Sequence, residues 1–422
     1  SDKTWASSCI YYLCEVCIMK DYSVVFGIDV SKAKLSVSVL IKKKEVDCFD
    51  ISNDALGFES LLEQLQEFSN PAVIFEATGV YSLPLEAFLN RAGYDYVKIN
   101  PLKAKKLMDN NLRRNKTDQV DAYRLAMIEF VAPQALSIEQ PKEYREMQAA
   151  SRYYEELTQD TVKAKNRLHR ALQTIFPQIE QLMSTPTGKQ YWQIVELYSH
   201  PHFVLEDGFD QISSKLQDIA GIGRRKSCNL ANFLRNLAKP AYAYYDYDSV
   251  QVKLVRRLAQ RLIDLETEKA EVIDYMEEIA PKKDLEIYLS VPGIARTTAL
   301  RLIAELGDLR RFKSTNQIDA FVGIDPGRYQ SGEYDGHLGI SQHGNHIARK
   351  ILYLAIGQIA SASPYNPCHI ADYYKAKKQS FHSTSYKKIA IASVHKLIRT
   401  LYALIINGQA YDYNVAKHNQ RL

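Results

Sequence analysis

The sequence predicts an α/β domain at the N-terminal end followed by a mostly helical remainder, and three observations carry that prediction. An apolar run, VVFGIDV (24–30), opens a stretch in which Leu35, Val37, Val39 and Ile41 alternate with polar residues, the period-two signature of strands. Short apolar strands then alternate with helical segments up to residue 132, as in an α/β layer fold. Beyond Pro141 the apolar spacing changes to alternating steps of three and four in two long segments, which is the heptad pattern of long paired helices.

Taken in order, residues 24–30, 35–41 and 45–51 read as three antiparallel strands, the last two joined by a Lys42-Lys43-Lys44 turn. A helix over 55–68, a strand over 72–76, a helix near 83–91, a strand over 94–99 and a further helix follow. That order is similar to a ribonuclease-H-like domain, spanning 21–135, after an N-terminal appendage at 1–20. The heptad seams (147–175 and 255–279, the second with Leu258, Leu262 and Leu265) define a coiled-coil connector over 136–285. They are expected to hold protomers together, the alternative being an ordinary bundle inside one chain. A helical subdomain (178–250) is inserted between them, with Trp192 and an aromatic turn at 242–247. The last domain covers 286–422. It begins at LSVPGIARTTALRLIAELG (289–307), and IAGIGRRKSCNLANFL (219–234) repeats the glycine turn and follows it with Arg224, Arg225 and Lys226. Such a turn either carries backbone amides to a nucleic-acid phosphate or is structural only.

Composition sets the limits. A chain of 422 residues exceeds one ordinary core, and 46% hydrophobic with 24% charged residues is globular. No run reads as the roughly 18–20 apolar residues of a membrane span, so no membrane partner is expected. The net charge of +5 argues only weakly for an anionic partner, but Lys98 to Lys116 holds seven basic residues against Asp109 alone. Six scattered cysteines imply no disulfide framework and a reducing cytosol. Cys14 and Cys17 form a lone C-x-x-C with no second pair, and Met19 is a plausible natural start.

The chemistry is expected of four acids. Asp29 ends the first strand in GIDVSK and Glu76 ends the fourth in FEATG, while Asp118 and Asp121 lie three apart in NKTDQVDA, on one helical face. Singly, each has a dull reading: Thr117 is a good N-cap, so both aspartates suit a helix dipole. Together they repel unless cations sit among them, and hard oxygen ligands suit Mg²⁺ or Mn²⁺, which activate and stabilise the oxygens of phosphodiester exchange.

In that order and on that strand pattern, GID, EATG and NKTDxxDA resemble the insertion-sequence one-ten family of transposases, whose N-terminal domain is a RuvC-like DEDD domain. A second block, FVGIDPGRYQSGEYDGHLGISQHGNHIARKILY (321–353), resembles the family's transposase domain in AG(L/I)xPxxYxSG, GxxSKxG and the following arginine. Ser331 in YQSG stands at the family's nucleophilic serine, with Ser341 as local competitor; Arg328 and Arg349 are candidates to offset phosphate charge. Two departures are evident: Gln342 and His343 stand where basic side chains are usual, and the connector is longer.

The resemblance implies a DNA recombinase that excises and inserts its own element, guided by an element-encoded structured RNA that pairs with donor and target DNA. It implies homo-oligomers, dimer to tetramer, in which one protomer's metal site meets another's serine, and a prokaryotic, cytoplasmic, nucleoid-associated protein. The residues themselves add basic surface for nucleic acid at Lys116, at Lys163, Arg167 and Arg170 on the first heptad helix, and at Arg224 and Arg225. The alternatives are a site-specific invertase of the Piv/MooV kind without guide RNA, and a metal-dependent junction nuclease that needs no serine.

Overall fold

The computed structural model describes residues 22–108, 117–133, 136–137, 140–331, 334–380 and 385–418, with the side chains of Leu102, Met108, 327–331, 334–338 and Ser380 excepted. The appendage with Cys14 and Cys17 and the expected nucleic-acid contact Lys116 lie outside the described residues. The chain divides into two compact units, Ser1–Glu139 and Gln140–Leu422.

The first unit contains β1 (Val24–Val30), β2 (Lys34–Ile41), β3 (Lys44–Ser52), α1 (Ala55–Gln66), β4 (Ala72–Glu76), a 3-10 turn at Gly79–Ser82, α2 (Leu83–Ala92), β5 (Tyr96–Ile99), α3 (Pro101–Met108) and α4 (Asp118–Val131). Its mixed sheet runs β3-β2-β1-β4-β5, with β1 antiparallel to β2, β2 antiparallel to β3, and β1, β4 and β5 parallel. Lys42 and Lys43 both take positive φ, 49° and 71°, the left-handed turn whose twist matches a tight hairpin.

Both faces of β1 are covered, which is why its sequence is apolar almost throughout. Phe26 and Ile28 face a core with Leu61 and Leu65 of α1 and Leu85 and Leu89 of α2. Val25 faces the opposite core, with Ala104 of α3 and Leu125, Ala126 and Ile128 of α4. Because side chains alternate along a strand, Gly27 and Asp29 share the α4 face with Val25.

The second unit is almost entirely helical. It comprises α5 (Lys142–Leu172), a 3-10 turn at Pro177–Gln181, α6 (Lys189–Leu197), α7 (Pro201–Glu206), α8 (Phe209–Gln217), α9 (Arg224–Ala238), α10 (Val250–Ile279), α11 (Lys282–Ser290) and α12 (Arg296–Leu306). After a 3-10 turn at Leu309–Arg311 come α13 (Thr315–Val322), a hairpin of β6 (Pro326–Ser331) and β7 (Tyr334–Ile340), α14 (His346–Ala362), α15 (His369–Ser380), α16 (Tyr386–Asn407) and α17 (Tyr413–His418).

Helices α5 and α10 run antiparallel against each other, since Tyr275 donates to Glu146, Tyr153 to Glu268, and Arg261 approaches Asp160. Leu258, Leu262 and Leu265 are buried with Leu157, Ala164 and Leu168 of α5 and with Trp192 of the insertion. This corrects the expectation that the heptad seams join protomers: the apolar stripe is consumed inside one chain. The other ends of the two helices, at Met147, Ile273 and Met276, belong to the C-terminal core instead.

A second correction concerns α16, which is long and apolar enough by length and composition to cross a membrane. It is a core helix here: Val394, Leu397, Leu401 and Ile405 are buried among α11 to α14, and its sequence also carries Lys387, Lys388, Lys396 and Arg399.

The two glycine turns prove unlike. Gly293 (φ 86°) lies so close to α14 that an added Cβ would meet the Ile359 Cα at 2.5 Å, and Arg296 after it is bound by Asp274 and Glu277. That turn serves packing. Gly221 and Gly223 are exposed, as are Arg224 and Arg225 after them, at a helix start with no acid in its first turn. Cations are unfavourable there, and the turn is tied to α6 through Gln190, which donates to the Ala220 carbonyl at 2.8 Å and accepts from Lys226 at 2.8 Å.

Candidate active site

The acids of the first unit gather on one edge of the sheet, and register explains how. Strands β1 and β4 pair in parallel up to Ile28 and Phe75, so the next residue on each, Asp29 and Glu76, stand level on strands about 4.8 Å apart. On the other side Asp29 is opposite Ser36 of β2, and Ser36 is opposite Asp50 of β3. Paired residues share a face, so Glu76, Asp29, Ser36 and Asp50 form one row across four strands. The row lies at the carboxyl ends of the parallel strands, where open α/β sheets place their ligands.

Helix α4 brings the other two acids to the same edge. Its approach depends on Gly27, where an added Cβ would meet the Ala122 carbonyl oxygen at 2.1 Å and the Ala126 nitrogen at 2.6 Å. With no side chain at Gly27, the helix lies directly on β1, and Asp121 is the neighbour of the contacting Ala122. Thr117 caps the helix by accepting from the Val120 amide at 3.3 Å, so Asp118 and Asp121 occupy the first turn, where carboxylates suit the dipole.

The side chains meet cations of the chain itself. Lys34, at the start of β2, lies 3.3 Å from Asp118 and 3.2 Å from Asp50, and those bonds favour its charged form. Asp50 also accepts from Ser36 at 2.7 Å, and that hydroxyl is the first cause holding its carboxyl below the usual range. Asp121 is 3.4 Å from Arg124. Asp50 is a member of the edge that motif reading missed; its alternation opposite Ser36 in the β2–β3 hairpin was the available signal.

Among the described residues no three His, Cys, Asp or Glu side chains converge as a metal centre. The donor chemistry at this edge is of the kind that divalent cations take. It consists of hard carboxylate oxygens, and Thr78, two residues after Glu76, holds a buried hydroxyl with no hydrogen-bond partner.

In the second unit Ser331 is the last residue of β6, paired with Tyr334; its side chain and that of Arg328 lie outside the described residues. The hairpin is rooted firmly. Ser341 donates its amide to the Asp325 carbonyl at 2.9 Å and its hydroxyl to the Asp325 carboxylate, so the competitor serine is engaged at the base while Ser331 sits at the tip. Gly344 presses on the α13 end, with an added Cβ only 2.4 Å from the Phe321 oxygen. Asn345 caps α14 through the Ile347 and Ala348 amides and reaches Glu305 at 2.8 Å. Arg349 donates to the Val322 carbonyl at 2.6 Å, a structural bond that the phosphate assignment did not anticipate. Gln342 and His343 are exposed.

Of the other expected contacts, Lys163, Arg167 and Arg170 are exposed on α5, although Lys163 pairs with Asp160 at 3.0 Å. Lys165 rests 5.3 Å above Trp192.

Both units match known families. Residues 26–177 match the DEDD transposase model of the IS110 type, and 285–375 match the transposase model of the IS116/IS110/IS902 family. The chain belongs to the IS110 family of transposases. The two matched segments together cover more than half of the chain and contain all four acids and Ser331. This IS110-family enzyme is similar to the transposase for insertion sequence element IS1328 of Yersinia enterocolitica, with 22% identity over 71% of this chain and 75% of that protein. It is 23% identical to an uncharacterized 44.8 kDa protein of insertion element IS116 from Streptomyces clavuligerus, over 83% and 87%. A segment of 83 residues is 36% identical to the transposase for IS1111A of Coxiella burnetii, covering 19% of this chain and 23% of that protein. The chain is a DNA transposase, and DNA is its substrate.

Proposed function

We propose that this transposase exchanges DNA strands by attack of Ser331 on a phosphodiester, at a site completed by Asp29, Glu76, Asp118 and Asp121 on a ribonuclease-H-like, RuvC-like domain. The level placement of Asp29 and Glu76 on neighbouring parallel strands, with α4 seated on Gly27 beside them, carries the reading. The four acids would hold Mg²⁺ or Mn²⁺, which supplies charge stabilisation at the attacking and leaving oxygens. The Ser331 oxygen bonds to phosphorus as the bond to the strand's 3′ or 5′ oxygen breaks, and the serine proton passes by way of solvent to that leaving oxygen, which departs as a hydroxyl; the phosphodiester energy is conserved as a serine phosphoester and the strands rejoin without ATP. Arg328 offsets phosphate charge, and Gly332 after the serine permits close approach of the backbone.

A homo-oligomer joins the acids of one protomer to the serine of another, in the cytoplasm on nucleoid DNA. A structured guide RNA selects donor and target, held by Lys163, Arg167 and Arg170 of α5 and by the exposed Arg224 and Arg225 turn, with Lys116 as a further nucleic-acid contact; Arg349, bound to the Val322 carbonyl, acts at the serine phosphate only if it leaves that bond. The invertase and junction-nuclease readings differ in needing no RNA and no serine ester respectively.

Strand exchange between donor and target plasmids, with the nucleic acid that copurifies, tests this. Activity is expected with Mg²⁺ or Mn²⁺, lost in EDTA and in Asp121→Asn, and dependent on the copurified RNA. Full activity of Asp121→Asn in EDTA would sink the metal reading, and full activity after ribonuclease treatment would move the protein to the invertase reading.

A further inference from the structure

A cleft of about 1230 Å³ opens in the second unit between α13, α15, α16 and the segment leading into α17. It is larger than the roughly 300–1,000 Å³ that small-molecule pockets occupy. The function proposed above makes no use of it.

Its charges are unevenly satisfied. Asp319 is bound to His395 at 2.9 Å, Asp325 accepts from Ser341, and Asp412 caps α17 by accepting from the Asn414 and Val415 amides. Each acid of the lining has a local partner, although the second carboxylate oxygen of Asp319, Oδ1, is buried without one. Lys396 and Arg399 also line the cleft, three apart on α16 and therefore on one face of it. Among the described residues neither has a carboxylate partner. The Lys396 ammonium lies 4.6 Å from the ring centre of Tyr373, and burial, then Arg399, lowers its pKa. Two like charges side by side cost stability, and this cleft keeps both without a carboxylate partner, with Lys396 and Lys377 near the Tyr373 ring, an arrangement that suits an anion with a flat, apolar body.

The cleft also has a place relative to the serine. Asp325 and Pro326 line it, and Pro326 begins the strand that ends at Ser331. Five residue steps at about 3.3 Å set the serine backbone about 17 Å away along the strand, a distance that a few nucleotides of single strand bridge.

We propose that this cleft holds an unpaired nucleotide of the DNA strand being exchanged, its phosphate on Lys396 and Arg399 and its base against Tyr373. The proposal rests on the strand-exchange reading, but it is tested by binding and not by activity. A bound nucleotide a few positions from the scissile phosphate would fix which phosphodiester reaches the hairpin tip. Stacking tolerates any base, so the cleft measures distance rather than sequence.

The test uses the full chain, a fluorescein-labelled single-stranded DNA oligonucleotide, and its counterpart carrying photoreactive 5-iodouracil. The double variant K396A/R399A, with thermal unfolding as a folding check, is expected to bind the single strand about tenfold more weakly. Its salt dependence should fall by about 0.7 in log–log slope, as for one phosphate released from a single strand. The iodouracil crosslink should map to Tyr373, and Tyr373→Leu should remove it while the protein stays folded. Ser331→Ala should bind and crosslink as wild type does, so a failed nucleophile assignment leaves this result readable. Unchanged affinity and slope in a folded double variant, a crosslink confined to other segments, or preferential crosslinking of the same sequence made as RNA would each overturn the proposal.

Discussion

Along the acidic edge, Asp29, Ser36, Asp50 and Glu76 take their places from backbone register across four strands, whereas Ser331 stands at the end of a hairpin whose sheet has two strands. An isolated two-stranded hairpin is marginal by itself. Its base is therefore fastened by other means: Ser341 on Asp325, Gly344 against the end of α13, and Asn345 on Glu305. The two regions show two ways to hold a side chain in place. A sheet edge fixes several side chains at once and tolerates no slip, because one residue of shift moves the whole row to the other face. A rooted hairpin fixes one end and delivers a single residue at the other.

The largest effect that separates members of the edge is expected between Glu76 and Asp50. Glu76→Gln should lower strand exchange by on the order of a thousandfold or more, as for a residue acting within a catalytic unit. Asp50→Asn should lower it only about tenfold, because Asp50 is bound to Ser36 and Lys34 and acts on the edge through Lys34. Equal losses, read in the same plasmid assay, would make Asp50 a full member of the site.

A pair of glycine variants sharpens the contrast. Gly27→Ala and Gly344→Ala each drive a Cβ into backbone oxygen, and each should lose about 1–3 kcal/mol of stability by overpacking, measured in urea. Gly27→Ala should also weaken Mn²⁺ binding in calorimetry, because it moves α4 and its acids, while Gly344→Ala leaves Mn²⁺ binding intact. Identical metal affinities would mean that α4 does not set the site.

The smallest effect lies in the acid response of the second unit. His369 is buried, bonded to Tyr411 at 2.8 Å and to Thr400 at 3.2 Å, and burial pushes it from 6.5 down to about 4. The unfolded chain therefore takes up this proton first as pH falls. The stability contribution is complete above pH 6.5 and is lost progressively down to about 4. The melting temperature of wild type should fall across that window more steeply than that of His369→Gln, and parallel curves would remove His369 from the acid response.

Much of the first unit was legible in the sequence. The alternation at 35–41, the apolar run at 72–76 and the Thr117 cap each reappear as an element within a residue or two, because local pattern and tertiary burial agree there. What failed was whatever depends on the partner of an apolar face. The stripe of Leu258, Leu262 and Leu265 has the same spacing whether it meets α5 of its own chain or another protomer. Likewise VPGIA and AGIGR look alike as sequence, and what separates them is the nearness of Ile359 to Gly293 and the ion pairs of Arg296, against the exposed Arg224 and Arg225. The hairpin at 326–340 escaped the helical reading because glycine and charged residues interrupt its alternation.

The central claim is that Ser331 joins covalently to DNA with the help of the acidic edge. Reaction on nicked, suicide-type DNA followed by peptide mapping of the adduct, in wild type, Ser331→Ala, Ser341→Ala and Asp121→Asn, tests it most directly. A DNA-linked peptide containing Ser331 is expected in wild type and Ser341→Ala, and none in Ser331→Ala or Asp121→Asn. An adduct that persists in Ser331→Ala and disappears in Ser341→Ala would transfer the nucleophile to Ser341, and cleavage without any adduct would contradict the account in favour of a water-driven nuclease.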